Sequence, residues 1–128
     1  SEDWELWFRV LANYGIKTDN RISARMFNHN DRSVMAEAQQ IKLVQRKELA
    51  LKYAFEDEAV KRNFGKWYKT IDAFGESYIA LHLVLIGNNK LGIKHLKKFV
   101  RGYPMGIFTR RFLVIVKCII FNLFKSRA

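Results

Sequence analysis

Glu2 and Asp3 stand side by side, followed at once by Trp4 and then by Trp7. A carboxylate in the first turn of a helix is favoured by the partial positive charge of the helix N-terminus. That charge holds it ionised, and the rigid element aims it outward. Acids in any first turn do this much for the dipole, so the pair taken alone reads first as simple complementation of the dipole. A second group with chemical potential lies at the far end of the chain. Arg110, Arg111, Lys117, Asn122 and Lys125 gather on one arc of a helical wheel, and the remainder of that run is Phe, Leu, Val, Ile and Cys. Basic on one side and greasy on the other is the pattern of a helix lying in a membrane interface. A terminal core helix packed on a bundle gives the same pattern. The run is too short to span a bilayer and has a lysine at its centre, so a transmembrane helix is excluded.

The elements that position these groups are mostly helical by periodicity. Trp4, Trp7, Phe8, Leu11 and Tyr14 form a single apolar stripe, Ser1 can cap its first turn, and Gly15 is a natural stop. Residues 16–27 alternate partially and include β-branched types, which predicts a short strand or two with a turn near Asp19-Asn20. Asp31 can cap a helix over 33–55, with Val34, Ala38, Ile41, Val44, Leu51 and Phe55 in its stripe and Glu48 interrupting it. The acids Glu56-Asp57-Glu58 suit the first turn of a further helix, whose stripe is Val60, Phe64, Trp67, Ile71 and Phe74 and whose stop is Gly75. Trp67 and Tyr68, at helical spacing among apolar neighbours, read as core rather than as a sugar-stacking platform. Residues 77–86 suit a buried helix, and Gly87-Asn88-Asn89 a turn. Residues 90–103 form another helix, with Gly92, Leu96, Phe99 and Tyr103 on one face, lysines opposite, and Pro104 after it. This pair resembles a single tetratricopeptide-like hairpin, with no second copy to make a solenoid. His82 and His95 read as packing or surface residues. The expected fold class is mainly α: a short β segment near the N-terminus, then a helical bundle or hairpin region.

The chain has 128 residues, of which 49% are hydrophobic and 14% aromatic, enough for one cored domain or for a domain fragment with an appendage. One proline and seven glycines argue against a disordered or collagen-like chain. Cys118 is alone, so no internal disulfide forms. The net charge is +11, and after Glu76 there is no Asp or Glu at all. Such asymmetry points to an anionic partner, a membrane surface or nucleic acid. No named nucleic-acid motif occurs, and the basic residues lie beside a greasy helix, which suits lipid better.

The opening stretch resembles the Glu-Asp segment of family 2 glycosyltransferases, inverting enzymes of the GT-A type. In that family Glu-Asp, an aromatic and an acidic-Leu-Trp run open a helix that ends at Tyr-Gly or Lys-Gly. Here the run is Glu2-Asp3-Trp4-Glu5-Leu6-Trp7, closing at Tyr14-Gly15. In the family a strand and a Tyr/Phe-x-His segment leading to a Ser follow, and Phe27-Asn28-His29 with Ser33 is similar to it. The resemblance implies that Asp3 is the general base, supported by Glu2, taking the proton from an acceptor hydroxyl as it attacks the anomeric carbon. Help of that kind contributes about 10²–10⁴-fold. It implies that His29 meets a divalent metal, Mg or Mn, or the diphosphate, although an ordinary loop histidine fits the residues equally well. Arg21, Arg25 and Arg32 flank it. The partners implied are a nucleotide-sugar donor and a hydroxyl acceptor.

The expectation is therefore that residues 1–30 finish a GT-A catalytic domain and residues 31–128 form a helical C-terminal region with an amphipathic tail. The protein is expected in the cytoplasm, peripheral on the inner face of the membrane through Arg110, Arg111, Lys117 and Lys125. Neither an Asp-x-Asp metal motif nor a nucleotide-binding βαβ half occurs, so this region alone is expected to be inactive. The alternative is a non-enzymatic basic helical module that binds a protein partner or an anionic membrane.

Overall fold

A computed structural model of the chain describes residues 2–14 and 40–125. Every regular element among them is helical: α1 (Glu2–Asn13), α2 (Gln40–Glu56), α3 (Glu58–Phe64), α4 (Tyr68–Leu85), α5 (Asn89–Gly102) and α6 (Arg110–Lys125). Two single 3₁₀ turns, Gly65–Trp67 and Pro104–Phe108, link α3 to α4 and α5 to α6.

Local chemistry sets several of these ends. Asp57 is extended, and its carboxylate accepts from the Ala59 and Val60 N–H groups at 2.8 and 3.1 Å, starting α3. Gly87 has φ +82°, a conformation few other residues adopt, and it turns the chain sharply after α4. The Asn88 side chain then accepts from Leu91 N–H at 3.3 Å to open α5. Pro104 begins the turn that ends α5, and the Thr109 hydroxyl accepts from Phe112 N–H at 3.3 Å at the start of α6.

α4 is the axis of the bundle. Its Ala73, Ala80 and Val84 are buried with Leu96 and Phe99 of α5 and Ile115 of α6. Another face packs Ile79 and Leu83 on Leu43 of α2. The α4–α5 approach is very close. A Cβ on Gly92 would overlap the Val84 side chain, and one on Gly102 would lie 2.8 Å from the Ala73 Cβ. α1 lies over α2 and α3, with Phe8 between Phe55 and Phe64 at ring-centre distances of 6.4 and 5.9 Å. Trp4 meets the edge of Tyr78 of α4 at 5.8 Å.

Four expectations are corrected. The described residues contain no strand, so the architecture is a helical bundle and not a short β segment followed by helices. Residues 16–27, where that segment was expected, lie outside the described residues. Gly75 does not stop a helix. α4 runs straight through it, and the aliphatic chain of Lys47 fills the space where a Cβ would be. The break falls instead at Gly65–Trp67, which leaves Trp67 and Tyr68 exposed rather than in the core. The buried side of α2 is Leu43, Ala50, Leu51 and Ala54, and Ile41 points out. That rotation brings Lys47 onto the inner side, where it finds acids.

Candidate functional site

The carboxylate pair singled out by its sequence opens α1, Glu2 and Asp3 being the first two residues of that helix. Three contacts fasten the helix behind them: Trp4 on Tyr78, Phe8 between two phenylalanines, and the Asn63 amide donating to the Ala12 carbonyl at 2.8 Å. Its expected apolar stripe is split. Trp4 and Phe8 face the bundle, whereas Trp7, Leu11 and Tyr14 are exposed. A groove of about 330 Å³ runs beside this exposed edge, lined by Trp7 and Leu11, by Ile71 and Phe74 of α4, and by Arg111 of α6. Apolar walls with one cation suit a docking segment or an apolar ligand group better than a free sugar.

A second polar centre lies between α2, α4 and α5, at the base of a cleft of about 720 Å³. Glu76, buried on α4, accepts from Lys47 Nζ at 2.5 Å through one oxygen. Its other oxygen meets His95 Nδ1 at 2.6 Å, with Lys98 Nζ at 3.8 Å. Lys47 also donates to Asp72 at 2.7 Å. Gln40 Nε2 lies 2.9 Å from His95 Nε2. An amide nitrogen only donates, so Nε2 accepts and the ring proton sits on Nδ1, donated to Glu76. Burial by itself raises the Glu76 pKa, but the hydrogen bonds from Lys47 and His95 and the charges of Lys47 and Lys98 outweigh it and hold the carboxyl below its ordinary value. Burial likewise lowers Lys47, and its hydrogen bonds to Asp72 and Glu76 with their charges carry it above the ordinary lysine value. Both groups are driven away from neutral pH, the opposite of what a general acid or base requires. The arrangement is a locked ion cluster that joins three helices.

The wheel arc of the tail is also divided. Arg111 remains exposed but reaches back to donate to the Ser77 hydroxyl at 3.4 Å. Asn122 donates to the Val84 carbonyl at 2.8 Å and to the Asn89 side chain at 3.0 Å. Of the membrane-facing set expected from the sequence, Arg110, Arg111 and Lys117 are exposed, Arg111 also reaching Ser77, and Lys125 is the last residue of α6. An arc that wide crosses the line along which α6 meets α4, and packing on Ile115 sets which half faces in. His82, beside Tyr78 at 4.3 Å, has its pKa lowered by burial and then by the charge of Arg111.

His29, the metal candidate, and Arg21, Arg25 and Arg32 lie outside the described residues. Among the described residues no three His, Cys, Asp or Glu side chains converge on a metal-sized site. The Lys47–Glu76–His95 cluster was not anticipated. Its one signal was Glu76, the last acid of the chain, set between Gly75 and an apolar run. The chain matches no known family model, no curated protein and no solved structure.

Proposed function

We propose that this chain is the C-terminal region of an inverting, GT-A type glycosyltransferase acting on a nucleotide-sugar donor and a hydroxyl acceptor. The observation that carries the proposal is the Glu2-Asp3-Trp4-Glu5-Leu6-Trp7 run, with its carboxylate pair in the first turn of α1. In this reading the acceptor oxygen attacks the anomeric carbon as the bond to the diphosphate breaks, and the hydroxyl proton passes to Asp3. A helix N-terminus favours the charged form of a carboxylate placed there. Anchoring through Trp4 and Phe8 keeps its backbone in place, the precision that base catalysis from a positioned group demands. His29 is the residue that would hold a divalent metal, which when bound would neutralise the diphosphate. The exposed edge of α1, Trp7, Leu11 and Tyr14, is where the rest of the catalytic domain seats.

The protein works in the cytoplasm, against the inner face of the membrane. No helix among the described residues is long and apolar enough to cross a bilayer, and the exposed side of α6 supports a peripheral seat. That same side supports the second reading, a non-enzymatic basic module whose partner is the membrane itself.

The discriminating experiment is transfer kinetics on the enzyme that contains this region. Asp3→Asn should lower kcat by about 10²–10⁴-fold with donor affinity nearly unchanged, because a general base acts in the transition state and not in ground-state donor binding. Transfer at the wild-type rate would remove Asp3 from the mechanism.

A further inference from the structure

The outer side of α6 is a stripe. Leu113, Lys117, Ile120, Phe121 and Phe124 follow one another at i, i+4, i+7, i+8 and i+11, on the side of the helix opposite the buried Ile115. Leu113 is 60% exposed and Phe121 67%, and Phe108 of the preceding turn is exposed as well. Contiguous exposed apolar surface on this scale marks a place of interaction. Lys117 lies inside the stripe, and Arg110 sits one turn before Leu113.

Charge identifies what covers it. Every ionised side chain after Glu76 is basic. A second copy of the chain docked by the same stripe would set Arg110 and Lys117 against their own counterparts, with no acid on either helix to pair them. A protein partner would have to bury a lysine in the middle of its apolar contact and supply the matching acid. A lipid interface demands neither. Lys117 and Arg110 lay their alkyl stems along the apolar surface and raise their charged ends to the headgroups, while the phenylalanines enter the acyl boundary. The stripe is also convex and carried on one helix, the shape that meets a flat fluid surface without a groove.

We propose that α6 and the turn before it dock the protein on an anionic lipid surface through the face of Leu113, Lys117, Ile120, Phe121 and Phe124. The proposal rests on the peripheral placement given above and is independent of the transfer chemistry. It also differs from the basic arc of the sequence, since Arg111 takes no part in the inserted face.

The test is flotation of the full 128-residue chain with vesicles of phosphatidylcholine alone and of phosphatidylcholine mixed with phosphatidylglycerol. The chain should float with the anionic vesicles and far less with the neutral ones. Raising the salt should reduce binding several-fold without abolishing it, because salt screens the headgroup attraction and leaves the apolar insertion. Leu113→Glu with Phe121→Glu should weaken binding by about tenfold or more at an unchanged thermal midpoint. Ile41→Glu with Leu49→Glu, which changes the net charge equally on exposed positions of α2, should leave most of the binding intact. Equal losses in the two pairs would mean that net charge alone binds lipid, and would overturn the assigned face while the peripheral placement stands. A wild-type chain that ignores anionic vesicles at low salt would overturn the placement as well. A dimer by sedimentation velocity that Leu113→Glu with Phe121→Glu dissolves, without vesicle binding, would assign the face to a second copy and end the lipid proposal.

Discussion

Helices α4 and α6 draw on similar apolar residues, yet one is enclosed and the other is half bare. α4 meets α2, α5 and α6 around its circumference, and α1 touches it through Trp4. Its internal polar residues, Glu76 and Ser77, are buried and fully engaged. α6 buries Ile115 against that axis and leaves Leu113, Phe121 and Phe124 outside. The placement of charge explains the difference. The buried acid of α4, Glu76, has a lysine on α2 and a histidine on α5 to receive it, so the chain completes its own partnership. The cations on the outer side of α6 have no acid on their own helix or anywhere in the chain after Glu76, and their partner comes from outside this stretch. Apolar content says that a helix needs cover, and the sign of its charges says what kind.

Substitution at the axis should cost most. Lys47→Ala leaves Glu76 buried without its closest cation, and removing one member of a buried pair typically costs about 3–5 kcal/mol. Urea unfolding monitored by circular dichroism measures this. Leu113→Glu with Phe121→Glu, both exposed, should by contrast stay within about 0.5 kcal/mol of wild type. If the two losses were similar, the contrast between the helices would collapse.

Next in size is the close approach of α4 and α5. Gly92→Val puts branched carbons where the Val84 side chain already lies, and overpacking of this kind costs about 1–3 kcal/mol. A thermal midpoint equal to wild type would show that the two helices separate freely and that α4 is less firmly enclosed than its burial indicates.

The smallest effect is the one that pH should produce. His82 sits on α4 within the field of Arg111 of α6, and its folded pKa is below the ordinary 6.5. A depressed histidine contributes no penalty above 6.5 and destabilises as pH falls below it. Glu76 is depressed from 4.5, so its contribution is present above that value and lost as pH drops through its lower folded one. Lys47 is raised from 10.5, so its contribution is complete below that pH and lost as pH rises through the folded value. The thermal midpoint should be flat between these limits, with a shallow decline starting at the histidine and a steeper one at the carboxylate. His82→Gln should remove only the first. A midpoint that stays level through both acid windows would contradict the assigned burial of both groups.

Much of the bundle was legible from periodicity. The α5 face of Gly92, Leu96, Phe99 and Tyr103 is the face that packs, because small and large residues at helical spacing leave one way to approach α4. The turn at Gly87-Asn88-Asn89 and the stop at Pro104 are local chemistry and fall where the residues predict. The helix at Glu2-Asp3 is equally local: capping acids followed by an aromatic stripe. Where one residue has two uses, the local rule failed. Gly75 can end a helix or admit a neighbour, and Lys47 made it the second. Trp67 can fill a core or face water, and the 3₁₀ turn at Gly65 sent it outward.

The sequence by itself determined that the chain is mainly helical over the described residues, that no Asp or Glu follows Glu76, and that a carboxylate pair begins an aromatic helix. Composition and spacing act within a few residues, and no later packing reverses them. Only the tertiary structure decided which side of each amphipathic helix is inside. Leu43 rather than Ile41, Asn122 bonded to the Val84 carbonyl, and Glu76 joined to His95 are choices among nearly equal local alternatives. A helix can rotate by a fraction of a turn with little change in its own hydrogen bonds. The orientation it adopts is therefore set by whichever distant residue supplies the better contact, and that residue is not encoded nearby.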